Sequence, residues 1–235
     1  MEYRIVKRRK TKKYVIVDKR GKAISQEFDR IFEVGLINGK SIYYIAERNG
    51  KYAIFDVNGN QISPDWYDYI SSEGLVMGRS NYYIAEKDKK YAIFDKYGNQ
   101  ISQWFNWIHP YGYGLVQGQS DYYIASKNGK EAIFDKDGNQ ITQWFDKIKE
   151  SGLVWGESEY YIAIKDGKQA IFDVSGNRIS DWFDEIYSYG LVFGESGYYI
   201  VEENRKFAIF DKNGEIITDW FDKIYPDGLV RGQSK

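Results

Sequence analysis

A single histidine, no cysteine and an abundance of carboxylates bound the chemistry open to this chain. With His109 alone and no thiol, the common zinc ligand sets cannot be assembled, so no metal and no cofactor is expected. A Ser-His-acid triad would have to be built around His109. Its surroundings, HPYGYG at 109–114, read as an inserted loop rather than a nucleophile elbow. The carboxylates would suffice in type for a two-acid glycosidase, but most of them recur in register along the chain. An active site should break that pattern. A hydrolase with an unrecognised site is therefore the third choice, and no catalytic residue is nominated.

Three further patterns invite a functional reading. Asp135-Lys136-Asp137-Gly138-Asn139 looks like half of a calcium loop, but Asn58, Tyr97, Ser175 and Asn213 replace the second acid elsewhere. Turn chemistry explains it better: the first Asp accepts turn amides and the Gly supplies positive φ. Trp66, Trp104, Trp144, Trp182 and Trp220 recur, with Glu27 in the first position, each followed by Phe or Tyr. Such aromatics can hold sugars, yet residues repeated in register normally pack between neighbouring repeats. The basic run Lys7 to Lys13 could meet phosphate, but the rest of the chain is net acidic, so a solvated hairpin tip is expected and nucleic acid is not.

The positions excused from the pattern are more informative. Before the last glycine of each GLVxG-type segment stand Asn38, Met77, Gln117, Trp155, Phe193 and Arg231. These six are nominated as a binding rim.

The elements that must position them come from a repeat. AIFDVNGNQIS, AIFDKYGNQIS, AIFDKDGNQIT, AIFDVSGNRIS and AIFDKNGEIIT follow a divergent first copy, VIVDKRGKAIS. Their aspartates, Asp18, Asp56, Asp95, Asp135, Asp173 and Asp211, lie 38 to 40 residues apart. Six repeats, at approximately 1–41, 42–80, 81–120, 121–158, 159–196 and 197–235, fill a single repeat domain, 1–235. Each reads as four short strands: YYIA, YAIFD, QIS and GLVxG. Both faces of YYIA and YAIFD carry apolar residues, so both faces of the sheet should be covered. The fold class is all-β, six four-stranded antiparallel repeats.

The favoured architecture is a closed six-bladed β-propeller, with an open β-solenoid of stacked hairpin repeats as the alternative. In a propeller the longest connection must cross a blade, about 14 Å for strands ~4.8 Å apart. The WFDxI segment is that connection, which makes GLVxG the inner strand. Gly228–Gly232 would then complete the blade begun by residues 3–25, sealing tail to head.

Charge is unevenly spread. Residues 1–41 hold twelve Lys/Arg against five Asp/Glu, while the whole chain has a formal charge of −1. A basic end on an acidic body could orient a partner or a second molecule. No segment approaches the ~18 apolar residues of a membrane span and no signal peptide is evident, so the expected location is cytoplasmic.

The unit GKYAIFDxxGNxIS-xWFDxI-xxxGLVxG resembles the bacterial WG (KWG) repeat. IFD, the turn glycine, WFD or WYD, and GL match over essentially the whole chain, whereas KYA, KEA, KQA and KFA stand where the name-giving W-G would be. The resemblance implies a non-enzymatic interaction repeat without a fixed ligand. YYIA and FDxxGN also give a weaker similarity to choline- and glucan-binding repeats. The expected function is a binding scaffold for a protein partner, with a carbohydrate-binding module as the alternative.

Overall fold

Six-residue runs such as YYIAEK and KYAIFD pair because both are rich in β-branched and aromatic residues and a two-residue turn separates them. Asp88 and Lys89 both have positive φ, 52° and 59°, as do Asn49 and Gly50 at 53° and 72°. Two consecutive left-handed residues match the twist of the flanking strands. The register follows, with Tyr82 opposite Asp95 and Lys87 opposite Lys90. The computed structural model describes residues 2–109 and 113–233.

The chain divides into two compact units, Met1–Gly118 and Gln119–Lys235, each carrying three repeats. The first holds β1 (Tyr3–Lys7), β2 (Tyr14–Asp18), β3 (Arg30–Ile31), β4 (Tyr43–Arg48), β5 (Lys51–Asp56), β6 (Tyr69–Ile70), β7 (Tyr82–Lys87), β8 (Lys90–Asp95) and β9 (Trp107–Ile108). Its sheets are β1-β2, β3-β4-β5 and β6-β7-β8. The second unit holds β10 (Tyr122–Lys127), β11 (Lys130–Asp135), β12 (Lys147–Ile148), β13 (Tyr160–Lys165), β14 (Lys168–Asp173), β15 (Glu185–Ile186), β16 (Tyr198–Glu203) and β17 (Lys206–Asp211). There β10 pairs with β11, and the other sheets run β12-β13-β14 and β15-β16-β17. All pairing is antiparallel.

The hairpin of each repeat is as expected, and beyond the first repeat, whose β1 is at most half-buried, both faces are buried: Tyr44, Ile45 and Ala46 are all within 3% of full burial. The third and fourth strands are not as expected. QIS makes only one bridge, as between Phe94 and Gln100. GLVxG is a turn, because its two glycines are left-handed: Gly35 at φ 70° and Gly39 at 72°, Gly228 at 80° and Gly232 at 66°. The third strand lies instead at the end of WFDxI, and it joins the hairpin of the following repeat. Ile31 pairs with Ala46, and Ile148 with Ala163. The four-stranded blade is thereby corrected to a three-stranded sheet shared between two repeats. The tail segment Gly228–Gly232, assigned as the closing strand of a ring, is likewise a turn.

Packing between repeats follows from the same handover. Phe28 lies 4.8 Å from Phe55 and 6.3 Å from Trp66 of the next repeat, and Phe145 lies 5.2 Å from Phe172 and 6.5 Å from Trp182. Burying one such phenylalanine stabilises the fold by about 2–3 kcal/mol. The recurrent tryptophans thus pack between repeats, as their register predicted. The aspartate turns also behave as read: Asp135 Oδ1 accepts the amides of Asp137 and Asn139 at 3.0 and 2.8 Å.

Candidate functional site

The six nominated rim residues all sit in left-handed turns. Met77, Trp155, Phe193 and Arg231 donate their amides to the carbonyls of Ser72, Glu150, Ser188 and Pro226 at 3.0–3.2 Å. Asn38, Met77 and Gln117 belong to the first unit; Trp155, Phe193 and Arg231 belong to the second. Phe193 and Arg231 are brought together through Tyr189, which meets Phe193 edge-on at 5.7 Å while the Arg231 guanidinium lies 4.3 Å over its ring. Gln117 is held by Arg79 and by Glu73, whose carboxylate accepts its amide at 3.1 Å. Asn38 Oδ1 accepts the Lys40 amide at 3.3 Å. These turns spend much of their polarity on themselves.

A second variable set lies beside the third strand and is not visible in the repeat pattern read as four strands. The isoleucine of that strand goes to the core: Ile31, Ile70, Ile148 and Ile186 are buried. Its neighbours alternate outward. They are Arg30 and Phe32, Tyr69, Lys147 and Lys149, and Glu185 and Tyr187, whereas Ser71, which follows Ile70, is buried. Their chemistry changes from repeat to repeat.

In the first unit this set forms a pocket of about 210 Å³ lined by Arg30, Phe32, Val34, Ile45, Tyr52, Tyr69, Ile70 and Ser72. The Arg30 guanidinium lies 4.5 Å over the Phe32 ring, and Phe32 meets Tyr52 at 5.7 Å. Tyr69 is 47% exposed at the mouth. A cation held over one ring and two further aromatic faces suit a planar or apolar side chain with a nearby negative charge.

In the second unit the matching positions are polar. Lys149 Nζ donates to the Ile186 carbonyl at 3.0 Å, and burial lowers its pKa against the opposing pull of Glu185. Glu131 accepts the Ile148 amide at 2.8 Å, and burial raises its pKa despite that bond. Gln169 does the same for Ile186 at 3.0 Å. Tyr187 is also raised, first by burial and then by Glu185 and Glu202.

His109 lies against Trp107 at 5.1 Å and Tyr113 at 4.5 Å, so its ring is enclosed by aromatics. The rest of its inserted loop, residues 110–112, lies outside the described residues. Among the described residues no cluster of three or more His, Cys, Asp or Glu side chains is arranged for a metal ion, and no helix is long and apolar enough to cross a membrane. The basic tip is largely exposed; Lys13 pairs with Asp29 at 3.2 Å, and the Lys7 ammonium lies 5.2 Å over Tyr14.

A larger groove in the first unit, about 570 Å³, runs past Trp104, Tyr67 and Phe94 to Asp65, Lys87, Asp88 and Lys90. Lys87 and Asp65 are paired there at 2.6 Å.

No protein-family model matches the chain, and no characterised protein matches it in sequence. Among solved structures it is similar to Kluyveromyces lactis Hsv2, at 12% identity and a TM-score of 0.37 over 76% of this chain and 59% of that one. It spans about three fifths of the Hsv2 chain. It is also similar to the Myceliophteria thermophila Cps50 (Swd1) beta-propeller domain, at 10% identity and a TM-score of 0.32 over 90% and 80% of the two chains. A functionally unknown protein from Desulfotomaculum acetoxidans gives 10% identity and a TM-score of 0.31 over 98% and 83%. These similarities are too slight to fix an architecture or a function; all-β repeat structure rests on the strands described above.

Proposed function

We propose that this chain is a non-enzymatic binding scaffold of the WG-repeat kind, which offers a protein partner the variable side chains beside its third strands. One observation carries the reading: in repeats that otherwise keep their residues, Arg30, Phe32 and Tyr69 depart from the pattern and line one aromatic pocket. Residues that serve only the fold would not change from Arg-Phe to Lys-Lys to Glu-Tyr between repeats.

The test is a partner captured by the wild type, purified, and titrated against a Phe32→Ala/Tyr69→Ala variant. The variant should remain folded, with a melting temperature lowered by the lost Phe32 packing, and lose at least tenfold in affinity. Equal affinity would remove the pocket from the proposal.

The groove beside Trp104 favours a second reading, carbohydrate binding, because an indole flanked by Asp65, Asp88 and Lys90 can stack on a sugar and bond its hydroxyls. A glycan array with wild type and Trp104→Ala would decide it; absence of any signal that depends on Trp104 rejects it.

A further inference from the structure

Ile186, on the open edge of β15, has both of its backbone groups paired by side chains. Its amide donates to Gln169 Oε1 at 3.0 Å, and its carbonyl accepts from Lys149 Nζ at 3.0 Å. Beside it Ser151 and Ser188 share a hydrogen bond of 2.9 Å.

Ile70 holds the same place on β6 in the first unit. Ser71 donates to the Ile84 carbonyl at 3.0 Å, as Tyr187 does to that of Ile200 at 3.0 Å. The N–H and C=O of Ile70, like those of Ile186, therefore turn away from the neighbouring strand toward the sheet edge. At that edge Tyr52 stands for Gln169, Phe32 for Lys149 and Val34 for Ser151. Phe32 and Val34 carry no polar side-chain atom, and Tyr52 makes no hydrogen bond to Ile70. Among the described residues neither backbone group at the edge has a partner, although Ile70 is only 4% exposed. Buried backbone groups are nearly always paired. Here they border the pocket of about 210 Å³.

The exchanged side chains describe what is missing. Gln169 offers an amide oxygen and Lys149 an N–H donor, the two groups that any residue of an extended peptide offers from its backbone. The pocket is smaller than the roughly 300–1,000 Å³ of a small-molecule site. Its walls include the rings of Phe32, Tyr52 and Tyr69, so it suits one aromatic side chain. Arg30 lies over Phe32 at 4.5 Å and, among the described residues, forms no ion pair, although Glu47 is its cross-strand neighbour. Residues 1–41 hold twelve Lys/Arg against five Asp/Glu, which favours an anionic segment.

Resting on the binding-scaffold reading above, we propose that the partner presents an extended acidic peptide that adds to the edge of β6. One of its residues bonds the N–H and C=O of Ile70, an aromatic side chain enters between Phe32 and Tyr69, and a neighbouring carboxylate meets Arg30. At β15 Gln169 and Lys149 hold the corresponding place, so that edge is closed to the same ligand.

The probe is the peptide Gly-Glu-Phe-Glu-Gly, acetylated and amidated at its ends. Its companions are a version with Lys in place of both Glu, one with Ala at the centre, and a series N-methylated at one amide at a time. NMR titration of the full chain should give saturable binding that falls at least tenfold with Ala, with Lys, and with N-methylation at one position. Exchange of the Ile70 amide should slow in the complex, whereas that of Ile186 should be slow with and without peptide. Phe32→Lys/Tyr52→Gln, which installs the second unit's side chains, should abolish binding in spite of its added positive charge. Arg30→Gln should remove the preference for Glu over Lys. Should the double variant fail to fold, the N-methyl series on the wild type decides alone. No saturable binding by any peptide, equal affinity across the N-methyl series, or unchanged Ile70 exchange would overturn the proposal. In that event a captured partner that still depends on Phe32 and Tyr69 would leave the scaffold reading standing, and one indifferent to both would reject that reading as well.

Discussion

Ser158 Oγ donates to the carbonyl of Val192, one repeat further on, at 2.7 Å, and accepts the Tyr160 amide at 3.2 Å. The same bond recurs from Ser41 to Val76 at 2.7 Å, from Ser80 to Val116 at 2.8 Å and from Ser120 to Val154 at 2.7 Å. One hydroxyl thus closes its own turn and fastens the next. Ser158→Ala should cost about 1–2 kcal/mol, since both groups are left unpaired in a half-buried site. Urea unfolding with an unchanged m-value would check it, and Ser158→Thr should recover part of the loss.

Glycine at the junction faces a sharper limit. A Cβ added to Gly152 would press into the Tyr160 carbonyl oxygen and lie 2.9 Å from Val192 Cγ1, on a backbone of φ 80°. At Gly228 the φ is also 80°, but nothing lies within 4 Å. Gly228→Ala should therefore cost only the left-handed backbone term, about 1–2 kcal/mol. Gly152→Ala should cost clearly more, and thermal melts of the pair would read the difference. Equal losses would mean that φ alone matters at both sites.

Two acids should respond to pH with opposite sign. Asp146 is lowered below the usual carboxylate range by Lys130 and the Asp166 amide. Its contribution is present above the unfolded-state value, about 3.9, and is lost as pH falls through the lower folded value. Asp146→Asn should therefore flatten the acid limb of the stability curve. Glu131 is raised by burial, so its contribution is present in acid and is lost as pH rises through the folded value. Glu131→Gln should stabilise the protein near neutrality and have little effect below pH ~4. Gln169 already fills the corresponding role at Ile186. Chemical denaturation across pH would separate the two signs.

The Tyr83 hydroxyl is buried without a hydrogen-bond partner among the described residues, and its ring stacks on Phe94 at 5.4 Å. Burial raises its pKa strongly. Tyr83→Phe should keep the stack, remove the orphaned hydroxyl and raise stability by about 1 kcal/mol. A lower melting temperature would show that the hydroxyl is satisfied by solvent.

The hairpins were legible in the sequence because YYIA and YAIFD carry apolar residues on both faces and short polar turns, such as Asn49-Gly50 and Asp88-Lys89, join them. The aspartate turns and the Trp-Phe packing were legible for the same reason, as each is a local rule repeated in register. The third strand was not. It is two residues long, and its first position runs Arg30, Tyr69, Trp107, Lys147 and Glu185, so no alternation can mark it. GLVxG was misread in the other direction: an apolar pair between glycines looks extended, yet both glycines take positive φ. The pocket at Arg30, Phe32 and Tyr69 was hidden with the strand that builds it. The cue that was available is variability itself, which marks those positions as well as the nominated turns.

The handover of one short strand to the following hairpin has an evolutionary consequence. Each module of 38 to 40 residues carries both the plug for its successor and the socket for its predecessor. An in-frame duplication or loss that cuts at equivalent points leaves every surviving plug in a matching socket. Unequal crossing-over can therefore lengthen or shorten such a gene by whole modules, while the side chains around the shared sheets diversify independently of the fasteners.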